Sequence, residues 1–165
     1  MIRNLILVFL MLLPFFGKSQ SLEEIRSQYP HAEADSDLVE KLDSLFTEES
    51  YSGHPELQAY RGAVKTLMAK FAKAPTAKIS LFNKGSSLID EAVQADPSNV
   101  EIRYIRMSVQ ENSPKLLGYN KNLEEDKAHI LKGFSKISSQ SLKDLIHQFA
   151  SDSKNFDEEE VAGLK

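Results

Sequence analysis

Arg103, Arg106 and Gln110 stand at positions i, i+3 and i+7, a spacing that lines two guanidiniums and an amide along one edge of a helix. Each guanidinium offers a planar fork of donors, so two of them one turn apart suit recognition of a carboxylate. Asn83, Lys84 and Tyr119 lie near that edge if the neighbouring helices stack, and Asn83 and Tyr119 with Arg103, Arg106 and Gln110 form the candidate binding set. The competing assignment is structural: the same arginines would pair with Glu101, Asp126 or other acids between helices, as helix-face ions commonly do.

Other chemistry is sparse. Neither G-x-x-x-x-G-K-[ST], G-x-G-x-x-G nor G-x-S-x-G occurs. Ser151-Asp-Ser-Lys154 fits S-x-x-K but has no companion motif and falls in an acidic end. The histidines, His31, His54, His129 and His147, are scattered, with no H-x-x-x-H pair to grip a metal. Asp35-x-Asp37 begins like a calcium loop, yet Val39 occupies the third ligand position and the required glycine is missing. These residues predict no catalytic set, no cofactor and no metal site, hence a protein that is not an enzyme.

The elements that must position the arginine edge are helical. Ser21-x-x-Glu24 predicts a cap before Leu22, Ile25 and Tyr29, with Pro30 interrupting. A second helix starts near Asp37 and aligns Leu38, Leu42, Leu45 and Phe46. Pro55 opens a third, presenting Leu57, Tyr60, Val64, Leu67, Met68 and Phe71. The most regular stripe follows in Leu81, Phe82, Gly85, Leu88, Ile89, Ala92 and Val93, ended by Asp96-Pro97. Ser98-x-x-Glu101 predicts the cap of helix 99–111, whose two apolar arcs imply packing between two partners. Helices capped at Asn122 and Ser141 complete the series, and the acidic stretch from Ser151 is expected to fray. No segment alternates in the manner of a strand, so the fold class is all-α.

Arg3, the apolar run Leu5–Phe16 and the small residues Gly17 and Ser19 predict a signal peptide over residues 1–19, cleaved before Gln20. The run is too short for a membrane anchor, so no stable insertion is expected after cleavage. Export to the periplasm or the medium follows. The mature chain would carry 18 basic and 24 acidic residues, a balance that argues against nucleic acid as a partner. With no cysteine, stability must come from burying apolar surface. The expected organisation is one helical domain over residues 20–150 and an acidic tail, with room for a short helix, over 151–165.

Short links between helices force antiparallel neighbours, and a lone hairpin cannot bury its apolar face. Gly85, Ile89, Ala92, Pro97 and Asn99 resemble the second helix and exit turn of a tetratricopeptide repeat. The half-repeat Gly85–Asn99 carries the likeness; the aromatic-Leu-Gly signature of a first helix is missing after Asn99. The wider layout also resembles exported bacterial helical proteins of unknown function. The resemblance implies stacked antiparallel hairpins of about six to seven helices and a scaffold that binds a protein or peptide. Two other functions stay open: a small enzyme or enzyme inhibitor with a polar site near Arg103 and Arg106, and a structural envelope component. Gly85, as a small crossing position, is expected to accept alanine and reject leucine.

Overall fold

Apolar side chains recurring every three or four residues give each segment one face to bury, and the chain answers with helices throughout. The computed structural model describes residues 16–47 and 51–165. Residues 1–15 of the expected leader lie outside them. Among the described residues there are eight α-helices and no strand: α1 (Phe16–Gln28), α2 (Ser36–Ser44), α3 (Pro55–Phe71), α4 (Pro75–Ala95), α5 (Val100–Asn112), α6 (Leu123–Gly133), α7 (Gln140–Asp152) and α8 (Glu158–Gly163). A 3-10 turn, Tyr29–Ala34, joins α1 to α2 where Pro30 removes a donor. α1 crosses the expected cleavage point, so its start lies ahead of the expected cap position at Ser21.

Three caps differ from expectation by one or two residues. Asp35 caps α2, accepting from the amides of Asp37 and Leu38, and so spends its carboxylate on the backbone. Asn99, not Ser98, caps α5 through the amides of Glu101 and Ile102. Ser139, not Ser141, caps α7.

α3 and α4 form the tightest pair. Gly62 and Gly85 face each other, and a Cβ on Gly85 would stand 2.5 Å from the Gly62 carbonyl oxygen and 2.7 Å from Thr66 Cγ2. The expectation that alanine fits at Gly85 is therefore overturned, because the obstacle is backbone, which cannot rotate aside. Gly85→Ala should lower stability by about 1–3 kcal/mol through overpacking, despite a gain in helix propensity of up to ~1 kcal/mol. A urea melt reads this directly, and an alanine variant as stable as the parent would mean that the two helices stand further apart.

α5 runs through the middle, packing against α3, α4, α6 and α7. All its residues from Glu101 to Gln110 are buried, beyond the two-sided packing that the sequence implies. The C-terminal segment also departs from expectation. Phe156 and Leu164 are buried against the core, and a reciprocal box between Asp157 and Glu160 starts α8. Lys127 donates to the Asn155 carbonyl at 3.0 Å, while Glu111 accepts from the Ser153 hydroxyl and the Lys154 amide. Residues 151–165 thus belong to the domain: two apolar anchors outweigh the acidic composition that surrounds them.

Candidate functional site

The arginine edge exists, but it faces inward. Asp126 is fully buried at the first turn of α6, where the helix dipole favours its charge. Arg106 grips it with Nε and Nη2, both at 2.7 Å, and Arg103 Nη1 donates to it at 2.9 Å. Arg103 also donates to Glu125 at 2.6 Å and twice to the Pro97 carbonyl, in the turn between α4 and α5. The Arg103 hydrogen bond, followed by that from Asn122, holds the Glu125 carboxyl below its ordinary range. Gln110 exchanges two hydrogen bonds with Asn122 and fixes the start of α6.

Tyr119 enters the same cluster at one remove. Its hydroxyl donates to Asp90 at 3.0 Å, and Asp90 lies 3.7 Å from Arg106. Asn83 does not join: it is exposed on α4, and its side chain has no hydrogen bond to either arginine. Glu101, a suggested partner of these arginines, lies on another side of α5. There Arg26 of α1 grips it through two bonds of 2.6 Å, and Tyr60 donates to it at 3.0 Å. α5 therefore carries two separate buried ionic clusters, each tying it to a different neighbour.

A feature that sequence patterns did not isolate is an apolar cleft of about 750 Å³ beside α5. α7 packs on α5 but has little packing against α3 or α4, which leaves a gap over one α5 face. Tyr104, Ser108 and Val109 form its inner surface, with Thr66 and Leu67 of α3, Phe82 of α4 and Phe149 of α7 as walls. The mouth holds Ile79, Leu116 and Leu117. These are three of the four large apolar residues exposed among the described residues, with Leu116 at 97%. A sequence signal was present in Lys115-Leu116-Leu117-Gly118, a leucine pair in a loop. Gly118 takes φ +66°, which turns the chain sharply after the pair.

Charged and polar side chains ring the cleft: Glu33, Lys70, Lys78, Asn112, Gln148 and Asp152, all exposed. Glu33 and Lys70 pair at 3.1 Å on the rim. Inside, the Tyr29 hydroxyl lies 3.4 Å from Ser108 Oγ. Burial pushes the hydroxyls of Tyr29 and Tyr104 above the ordinary tyrosine range, so both remain protonated donors at neutral pH. No group of three or more potential metal ligands occurs among the described residues. No helix among them is long and apolar enough to cross a membrane.

Fold and cleft together define an all-helical protein with a preformed apolar recess. Comparison with protein-family models, with curated proteins and with solved structures finds no match.

Proposed function

We propose that this chain is a non-catalytic, exported helical scaffold that seats an apolar segment of a partner protein in the cleft beside α5. The observation that carries this reading is the convergence of exposed Ile79, Leu116 and Leu117 on one recess. Isolated exposed leucines are ordinary, but apolar residues gathered around a concave surface mark binding sites. Catalysis has less support: of the ionisable groups lining the recess, Glu33 and Lys70 pair with each other on the rim, and none is a histidine. Arg103, Arg106, Gln110 and Tyr119 enter as the frame that holds α5 and α6, with Asn83 outside it.

The test uses N-phenyl-1-naphthylamine, whose emission rises in apolar surroundings, displaced by the uncharged peptide acetyl-Leu-Leu-Phe-Leu-amide. Both should bind the purified protein. Ile79→Glu should weaken both at least tenfold, since it sets a charge in an apolar mouth. Ile79 is 54% exposed, so the melt should hold within about 0.5 kcal/mol. Absence of probe binding, or binding that Ile79→Glu leaves untouched, would overturn the cleft as the seat.

A further inference from the structure

The four large apolar residues exposed among the described residues, Phe71, Ile79, Leu116 and Leu117, stand at one end of the molecule. Phe71 closes α3 and Ile79 lies near the start of α4, and the short link Ala72–Ala74 keeps those two helix ends together. Leu116 and Leu117, in the loop after α5, meet Ile79 at the mouth of the cleft.

The charges around them are of one sign. Residues 71–89 and 112–123 hold five lysines, Lys73, Lys78, Lys84, Lys115 and Lys121, and no acidic residue. In the whole chain the balance runs the other way, with 24 acidic residues against 20 basic. All five lysines are exposed, and none makes a side-chain hydrogen bond or ion pair among the described residues. The two carboxylates that line the cleft are already engaged, Glu33 with Lys70 and Asp152 with the Gln148 amide. Lys73, Lys78 and Lys115 are chain neighbours of Phe71, Ile79 and Leu116, so each apolar group has a free cation beside it.

That combination selects among partners. Lysine is depleted at protein–protein interfaces, whose core excludes charge. At a bilayer surface the same side chain fits: its stem lies along apolar groups while the ammonium reaches the headgroups. An anionic leaflet adds about fivefold in affinity for each lysine held near it. No helix among the described residues is long and apolar enough to cross a membrane, so the contact is with the surface.

We propose that this end of the molecule docks reversibly on an anionic bilayer, Phe71, Ile79, Leu116 and Leu117 entering the acyl boundary and Lys73, Lys78 and Lys115 meeting the headgroup phosphates. The docking goes beyond the reading of the cleft and does not depend on what fills it, because Phe71, Lys73 and Lys115 lie outside its lining.

The test is flotation of the mature protein, from Gln20 onward, so that the leader adds no apolar run of its own. Vesicles of phosphatidylcholine and phosphatidylglycerol in equal parts should carry the protein, phosphatidylcholine alone far less, and added salt should release it. Leu116→Ser should weaken flotation about tenfold. Lys73→Gln with Lys115→Gln should weaken it by roughly ten- to thirtyfold. All three positions are exposed, Leu116 at 97%, so the thermal melt should stay with the parent. The double lysine variant should also keep the parent's affinity for N-phenyl-1-naphthylamine, which reports on the cleft.

Absence of flotation would overturn the docking surface, as would flotation indifferent to Leu116→Ser or to lipid charge. A dimer in sedimentation velocity that Leu116→Ser dissolves, without flotation, would assign the patch to a second copy of the chain instead. Dye binding without flotation would remove the docking surface and leave the cleft; flotation without dye binding would support docking and remove the cleft.

Discussion

Asp126→Asn should lower the stability of the folded chain by about 3–5 kcal/mol, as removing one partner of a buried ion pair does. The substitution keeps the shape of the side chain and deletes its charge. Arg103 and Arg106, 3% and 6% exposed, would then be left with two outer carboxylates, Glu125 and Asp90, whose side chains are 48% and 41% exposed. In a chain of this size the loss corresponds to a drop in Tm of roughly 6–20 °C. Glu125→Gln is the control and should cost at most ~1 kcal/mol, because solvent screens that partner. Denaturant melts of the two variants separate the assignments of the arginine edge. A small effect of Asp126→Asn would mean that Arg103 and Arg106 do not depend on it and can serve an external carboxylate.

Removal of residues 153–165 should cost a further large amount, about 3–5 kcal/mol from the burial of Phe156 and Leu164 alone. The contacts of Lys127 and Glu111 with this segment are partly solvated and add little. Phe156 also packs against Phe149, with centroids 6.2 Å apart, and Phe149 against Tyr104. The truncated protein should therefore melt earlier and bind apolar probes less tightly. Neutralising Glu158 and Glu159, both exposed, should change neither property. A truncation that melts with the full chain would show the segment to be a mere appendage.

The helical faces were legible because the 3.6-residue period leaves a plain trace, as in Ile89, Ala92 and Val93, all buried as expected. Phe71 shows the limit: the period places it with Leu57 and Tyr60, but it stands at the end of α3, where no neighbour covers it, and is 37% exposed. Caps slipped by a residue or two because Ser98 and Asn99, or Ser139 and Ser141, offer equivalent oxygens, and only backbone geometry chooses. The arginine edge was visible as a spacing, and Asp126 among its suggested partners; Glu101 was misassigned since its true partner, Arg26, lies 75 positions away. The cleft left one local trace, the loop pair Leu116-Leu117, and nothing that marks its walls. It arises where α7 fails to meet α3 and α4, and such a gap belongs to tertiary packing.

The contact of Gly62 with Gly85 bears on the order in which the molecule assembles. Its two helices are joined by the short link Ala72–Ala74, so closing this hairpin forfeits little chain entropy compared with docking α1 or α8. Backbones that touch can lock only when both helices are already straight and in register, which gives the pair the character of a preassembled wall. α5 then has a fixed surface to fold against, and its charged residues reach their partners after the apolar frame is set. Variation at either glycine would disturb that first step, however well the rest of the chain were preserved.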